Sequence, residues 1–191
     1  MSKFTFKNNG LTMIELMITL AVAGILVASA APSFRTSIQN NRMVTQVNEL
    51  HTSLSLARSE AIKRNNNVTV CQSSNGTSCA DEGDWEGGWI IFIDDNFDGS
   101  VDIDDGDLVL RVDGVISGDN TLTFSQTRVI YARDGFARPN SNGTFTLCDT
   151  RGAAFAKGLV VGVSGRPRLS IDSNSNGTLE DGDNADLVCP S

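Results

Sequence analysis

The sequence predicts an α+β fold in which one long N-terminal helix packs on a C-terminal antiparallel β-sheet domain. Two observations lead to this class. Apolar positions recur at helical spacing over the first third of the chain, and short β-branched runs separated by Gly, Asn and Asp fill the rest. With 191 residues, 40% of them apolar, the chain can bury a modest core. These patterns divide it into a polar leader, an apolar segment, an amphipathic helix and a β-rich domain with an acidic C-terminal tail: 1–10, 11–31, 32–66 and 67–191.

The apolar segment 11–31 is long enough to span a membrane. Its 21 residues contain one ionisable side chain, Glu15, and as a helix they rise about 31 Å, the thickness of a bilayer core. Lys3 and Lys7 precede the segment and small residues follow it, a pattern that also fits a cleaved signal peptide. The segment is longer than a usual signal sequence and continues into a helical pattern, so we favour a retained span.

Glu15 needs an explanation, because a carboxylate within an apolar span costs about 2.5–3.5 kcal/mol. One interpretation places it at the wet membrane interface. The other gives it a cation made by processing: cleavage after Gly10 would leave a new α-amino group on Leu11. The amine of a neighbouring subunit would then pair with Glu15 at low dielectric.

The stretch "GLTMIEL", 10–16, resembles the processing site of type IV prepilins. The resemblance implies that prepilin peptidase removes the leader after Gly10, that Leu11 becomes N-methylated, and that Glu15 supports assembly. Pro32 matches the family's helix-kinking proline in the same assembly helix.

The same resemblance predicts a pilin fold and partners that are other major and minor pilins, contacted through the N-terminal helix. It also predicts a single-pass anchor in the bacterial inner membrane before assembly, with the C-terminal domain in the periplasm. The assembled protein would then belong to the pilus at the cell surface.

Beyond Pro32 the apolar positions recur in steps of three and four, which predicts one buried stripe on an amphipathic helix ending near "KRNNNV", 63–68. The expected stripe comprises Phe34, Ile38, Val44, Val47, Leu50, Leu54, Ala57 and Ala61. His51 is the one histidine, and no Ser/His/Asp, Cys/His or metal-hydrolase pattern accompanies it. We therefore predict that the protein is not an enzyme.

The remainder predicts seven short strands, forming either one antiparallel sheet or two small sheets packed on the helix. The expected strands are 68–72, 88–94, 107–112, 121–125, 128–132, 143–149 and 158–164.

Four cysteines lie outside the apolar segment, and an even count in an exported domain favours disulfides, although four cysteines allow three pairings. We prefer Cys71 with Cys79, which closes a small loop, and Cys148 with Cys189, which fixes the tail to a strand. A zinc site is disfavoured, since neither spacing is C-x2-C and no histidine is near.

The stretch "DWEGGWIIFIDDN", 84–96, resembles the W-x2-GW-x-x-F-x-D segment of the GspH/FimT family of pilin-like proteins. The matching residues are Trp85, Gly88, Trp89, Phe92 and Asp94. Members place two cysteines before this segment and Gly-Arg-x-Arg near the end, as this chain does at 71, 79 and 165–168. We interpret both tryptophans as core residues.

Two acidic loops have the spacing of calcium loops, with oxygen ligands at alternate positions around a turn-forming glycine. The first loop offers Asp94, Asn96, Asp98, Gly99, Asp102 and Asp105; the second offers Asp172, Asn174, Asn176, Gly177, Glu180 and Asp183. The usual bidentate Glu at the twelfth position is Asp in both. Strings of Asp, Asn and Gly also form hairpin turns without metal, so Ca²⁺ is the one candidate cofactor and stays open.

The net charge of −8 conceals a strong asymmetry. Residues 81–120 hold thirteen acids and one base, Arg111, whereas residues 128–168 hold seven bases and two acids. Such a basic stretch can be a solvated face that neutralises the protein's own acidic loops. Arginine also binds phosphate through a planar fork, which nucleic-acid contacts use.

Within the GspH/FimT family, Gly-Arg-x-Arg is associated with DNA binding by FimT-type minor pilins, which natural transformation requires. This chain matches it at Gly165, Arg166 and Arg168, and Pro167 stiffens the stretch. The resemblance implies weak, sequence-independent DNA binding at a turn, with four further candidate contacts: Arg133, Arg138, Arg151 and Lys157. The alternative is a structural minor pilin or a GspH-like pseudopilin of type II secretion without DNA binding.

Overall fold

The computed structural model describes residues 10, 12–80, 85–102, 104 and 106–190. The chain forms two compact units, with the boundary after Asn40. Helix α1, Met13–Arg64, supplies the first unit and the start of the second.

In the first unit, α1 begins next to Thr12, whose Oγ1 accepts a hydrogen bond from the Glu15 N–H at 3.3 Å. A threonine three residues before a glutamate is the pattern of a helix N-cap. Large apolar side chains from Met13 to Val27 are exposed, and within the described residues α1 is the one helix long and apolar enough to cross a membrane. Pro32 lies inside α1 without interrupting it.

In the second unit, α1 buries a stripe with strictly alternating steps of four and three. Its apolar members are Met43, Val47, Leu50, Leu54, Ala57 and Ala61. The expected members Phe34 and Ile38, which belong to the first unit, are wrong, since they are 69% and 58% exposed. The expected member Val44 is also wrong, since it is 46% exposed. Met43 replaces it because one residue along a helix turns the side chain by about 100°.

Within the part of the chain that the structure describes, eight strands form two four-stranded sheets, and every pairing is antiparallel. The strands are β1 (Val68–Gln72), β2 (Trp89–Ile93), β3 (Leu108–Asp113), β4 (Thr121–Thr123), β5 (Arg128–Tyr131), β6 (Gly143–Cys148), β7 (Lys157–Val161) and β8 (Pro167–Leu169). One sheet has the order β3-β2-β1-β5 and the other β4-β6-β7-β8. The two-sheet alternative is therefore correct. Strand β8, at an outer edge, was not expected from the sequence.

Aromatic side chains fill the core of the second unit. Trp85 meets Phe124 and Phe145 edge-on, with ring centroids 5.9 and 4.8 Å away. Its indole N–H donates to the Gln126 carbonyl at 3.0 Å. Trp85 is 2% and Trp89 1% exposed, which confirms the interpretation of both tryptophans as core residues.

Buried polar side chains fix α1 against the loop that follows β3. The Gln46 amide donates to the Ser117 carbonyl at 2.7 Å and accepts from Asn120 Nδ2 at 2.6 Å. Two helical turns further along α1, Ser53 Oγ donates to Asp113 Oδ2 at 2.8 Å. Because an unpaired buried polar group is costly, these bonds specify one register of the helix on the domain.

The structure contains both preferred disulfides. Cys71–Cys79 closes a loop with a sequence separation of 8, and Cys148–Cys189 spans 41 residues and holds the C-terminal tail against β6.

Candidate nucleic-acid interface

The Gly-Arg-x-Arg stretch starts in the tight turn that joins β7 to β8. Gly165 has φ +73° and its N–H donates to the Gly162 carbonyl at 2.8 Å. A Cβ at Gly165 would lie 2.1 Å from the carbonyl oxygen of Gly135. Glycine is required here for two reasons, the left-handed backbone and the close approach of a second chain segment.

That second segment is the loop 132–138, which follows β5. The Ala137 N–H donates to the Val163 carbonyl at 3.1 Å, so a backbone hydrogen bond joins the loop to the turn. From α1, Arg58 Nε donates to the Gly135 carbonyl at 2.9 Å. Helix, loop and turn therefore form one fixed support.

Three exposed arginines lie on this support. Arg166 ends the turn, and Arg133 and Arg138 belong to the adjoining loop. Arg166 and Arg133 make no hydrogen bond or ion pair with any residue that the structure describes. The guanidinium groups can therefore meet an external anion without first breaking such a contact.

Arg168 is in a different environment from Arg166. It lies in β8 opposite Val160 rather than in the turn, because the chain is already extended from Pro167 onwards. It lines a groove of about 510 Å³ whose other charged residues are Asp181, Asp183 and Asp186 of the tail. We call this the tail groove; its three carboxylates outnumber its one arginine and oppose the approach of a phosphate.

Arg151 and Lys157 lie away from the turn. Lys157 begins β7, about 14 Å along the strand from its last residue at 3.4 Å per residue. Arg151 Nη2 pairs with Asp149 Oδ2 at 2.6 Å, and its guanidinium carbon lies 4.2 Å from the Phe155 ring centroid. Burial alone would raise the pKa of Asp149, but the hydrogen bonds and charge of Arg151 together hold it below its usual range.

In the first acidic loop, Asp94 is buried and caps the loop's own backbone. Its Oδ2 accepts from Thr69 Oγ1 at 2.9 Å and from the Gly99 N–H at 3.1 Å. Burial raises the pKa of Asp94, while the Thr69 hydrogen bond opposes that shift. Asn96, Asp98 and Asp102 each accept an N–H bond from two residues further along, as in Asx turns.

Asp105 of that loop lies outside the described residues. Among the described ones, no group of three or more Asp, Glu, His or Cys side chains is arranged to hold a metal ion. In the second loop Glu180, 3% exposed, accepts from the Ser173 and Asn174 N–H groups. Calcium binding stays a prediction, and calorimetry with millimolar Ca²⁺ tests it.

At the other end of the chain, the processing prediction falls largely outside the described residues, which include Gly10 but neither the preceding leader nor Leu11. Glu15 and Pro32 are both exposed on α1. Peptidase cleavage and N-methylation stay predictions.

Two phenylalanines were not singled out from the sequence: Phe136 in the loop 132–138, which we call the basic loop, and Phe97 beside it. Phe97 is 56% and Phe136 52% exposed, and the Arg138 guanidinium carbon lies 5.7 Å from the Phe97 ring centroid. The available signal was a phenylalanine inside each of two turn-forming strings, "DNFDG" and "DGFAR".

The family follows from two matches to family models. Residues 5–31 match the prokaryotic N-terminal methylation motif, and residues 46–177, more than half of the chain, match the model described as type II transport protein GspH. The chain belongs to the GspH family. Members of this family are pilins and pseudopilins, which are structural components, and the methylation motif identifies the apolar part of α1 as a pilin membrane anchor.

Two solved structures share the fold of this chain, and a third is less similar. Two crystal forms of the type IV minor pilin FimU from Pseudomonas aeruginosa (strain PAO1) match this GspH-family chain with TM-scores of 0.54 and 0.52 at 22% and 20% identity. The matches cover 70% and 68% of this chain and 91% and 93% of FimU. The minor pseudopilin EpsH of the Vibrio cholerae type 2 secretion system matches at 10% identity and a TM-score of 0.43, over 67% of this chain and 95% of EpsH. No curated protein sequence matches the chain significantly.

Proposed function

We propose that this protein is a minor pilin of a type IV pilus that binds DNA weakly and without sequence preference, and that it thereby aids DNA uptake in natural transformation. The observation that carries the proposal is the docking of the Gly165 turn on the loop 132–138, which joins the backbone next to exposed Arg166 to the loop that carries exposed Arg133 and Arg138.

Phosphate contacts of this kind carry no sequence information and depend strongly on salt. Each phosphate neutralised on duplex DNA contributes about −0.9 to the slope of log affinity against log salt, so three arginines correspond to a slope of about −3. The net charge of −8 and the tail groove repel DNA elsewhere on the surface. Weak binding at low salt is the expected result.

Assembly is proposed to use the apolar part of α1, which the monomer leaves exposed. Its partners would be the corresponding helices of other major and minor pilins, after residence in the inner membrane with the C-terminal domain in the periplasm. Prepilin peptidase would act at Gly10 and free the amine of Leu11, and a neighbour's amine would pair with Glu15. A Glu15→Ala variant should be processed and inserted normally but incorporated poorly into filaments, as immunoblots of sheared pili would show.

A gel shift of the full-length protein in detergent micelles tests DNA binding. Arg166→Gln should weaken binding and reduce the salt slope by about one unit, and Arg166→Gln with Arg168→Gln should weaken it at least as much. Lys157→Gln is the matched control, because it removes the same charge at the far end of β7. If the wild-type protein binds no DNA at low salt, or the double variant binds equally well, the DNA role is wrong.

The second candidate is a structural minor pilin or type II secretion pseudopilin without DNA binding. One observation favours it: Arg168, half of the arginine pair, lies in the groove lined by three tail aspartates. Failure of the gel shift together with normal filament incorporation would support this alternative.

A further inference from the structure

A groove of about 580 Å³ opens beside the basic loop. It is lined by the asparagines 65–67 that follow α1, by the loop after β5 and by Phe97 of the first acidic loop. We call it the aromatic groove, and its lining residues that matter here are Asn66, Phe97, Arg133, Phe136 and Arg138.

Two phenyl rings of the aromatic groove are exposed without an evident packing reason. Phe97 is 56% exposed and has φ +67°, a left-handed backbone that costs an L-residue of this size free energy. Phe136 is 52% exposed and follows the tight turn closed by the Gly135 N–H and the Ala132 carbonyl at 2.7 Å. Strain and exposure that do not serve the core indicate use at the surface.

The charged residues of the groove favour an anionic occupant. They are Arg133 and Arg138 against Asp134, whose Oδ1 accepts from the Phe136 N–H at 3.0 Å. Arg138 also lies over the Phe97 ring with its guanidinium carbon 5.7 Å from the centroid, so the pair makes a cation–π contact that places positive charge beside an exposed ring.

The aromatic groove and the arginine of the turn share one support. The Ala137 N–H donates to the Val163 carbonyl at 3.1 Å, and the Arg138 N–H donates to the Ile130 carbonyl at 2.9 Å. The ring of Phe136 and the charge of Arg166 are therefore held on hydrogen-bonded neighbours rather than on independent loops.

We infer that the aromatic groove binds unpaired bases of single-stranded DNA, with Phe136 and the Arg138–Phe97 pair as stacking surfaces and Arg133 and Arg166 on the phosphates. The inference rests on the proposed DNA binding and gives its substrate class. Exposed aromatic rings beside a cationic track are the arrangement with which proteins hold single strands. In a duplex the faces of the bases are stacked on each other, so these rings have nothing to stack on.

The experiment compares three labelled probes on the full-length protein in micelles at low salt: a single strand, the matched duplex, and an abasic strand of the same length. The abasic strand keeps the phosphates and lacks the bases. The wild-type protein should prefer the ordinary single strand. Phe136→Ala should weaken that affinity by about 5-fold to 100-fold, toward but not fully to the level of the abasic strand, because the Arg138–Phe97 pair remains. Duplex affinity should change by less than about 2-fold, since its phosphate contacts remain.

Phe155→Ala is the matched control. Phe155 is also an exposed ring, 41% accessible, under an arginine, but it lies outside the groove, so its loss should change none of the three affinities. If the wild-type protein binds all three probes equally and Phe136→Ala has no effect, the inference is wrong. The proposed DNA binding stays supported in that case if Arg166→Gln still weakens binding. That result would leave the rings to another occupant, such as an apolar segment of a neighbouring pilin. Binding to none of the probes overturns both.

Discussion

Replacing Gly165 by alanine tests the support beneath the candidate interface. The added Cβ would lie 2.1 Å from the Gly135 carbonyl oxygen, where real Cβ contacts are longer than 3.0 Å. That oxygen is backbone and already accepts from Arg58 Nε at 2.9 Å, so it cannot retreat freely. The turn itself must move by about 1 Å, an overpacking that costs roughly 1–3 kcal/mol.

The left-handed backbone at φ +73° adds about 1–2 kcal/mol for an L-residue. The total of about 2–5 kcal/mol should lower the melting temperature by about 4–20 °C for a domain of this size. DNA affinity should fall as well, because Arg166 moves with the turn. Differential scanning fluorimetry and the gel shift measure the two effects.

Gly152 provides the control, since it has φ +86° but nothing within 4 Å of its added Cβ. Gly152 has ψ −170°, a combination that essentially only glycine adopts, so Gly152→Ala carries a backbone cost alone of about 1–3 kcal/mol, or about 2–12 °C, and should bind DNA normally. If Gly165→Ala and Gly152→Ala melt at the same temperature, the close approach of turn and loop does not constrain the fold, and the reasoning fails.

Three further predictions concern charge, covalent closure and pH. Asp183→Asn in the tail groove should tighten DNA binding about 2-fold at low salt, and high salt should abolish this gain. Asp119→Asn makes the same charge change at an exposed site outside the groove and should not tighten binding. Titrations followed by fluorescence anisotropy measure both affinities. Replacing Cys148 and Cys189 by alanine should lower the free energy of unfolding by about 4 kcal/mol, the loop entropy expected for a sequence separation of 41. Urea denaturation measures this change, and a loss under about 1 kcal/mol would contradict the prediction. Burial raises the pKa of Asp94 in the folded state, so the native protein binds the proton of this carboxyl group more tightly than the unfolded chain does. The free energy of unfolding should therefore fall as pH rises from about 4 through the pKa of Asp94 in the folded state. Asp94→Asn should flatten that part of the stability curve, and an unchanged curve would show that another group causes it.

The elements of the second unit were largely predictable because local signals set them. The runs of β-branched residues fix β1, β2 and β6 to within two residues of their observed bounds. Asn65 has φ +52° just after α1 ends, as expected of asparagine at a helix terminus.

Distances between remote segments had no such local signal. Nothing near Gly165 in sequence shows that the Gly135 carbonyl lies against it, and nothing near Arg168 shows that the tail aspartates line its groove. Val44 was placed on the buried stripe because it is apolar, whereas the alternating spacing of its neighbours selects Met43. The exposure of Phe136 also depends on the hydrogen bond between its loop and the turn after β7, a contact between segments that are remote in sequence.

The position of Pro167 has a consequence for crowding. Just after β8, the Ser170 N–H donates to the Gly158 carbonyl at 2.9 Å. Because N–H groups alternate in direction along a strand, even-numbered residues of β8 point their N–H groups towards β7 and odd-numbered residues point them away from the sheet. Pro167 therefore lacks its donor on the outward side, where no pairing within the sheet is lost. In the proposed filament, β-domains would be packed at high local concentration, where an open sheet edge invites strand addition from the next subunit. A proline between the two arginines leaves Leu169 as the one outward N–H donor of that three-residue strand, so we expect this edge to pair poorly with a strand of a neighbouring subunit.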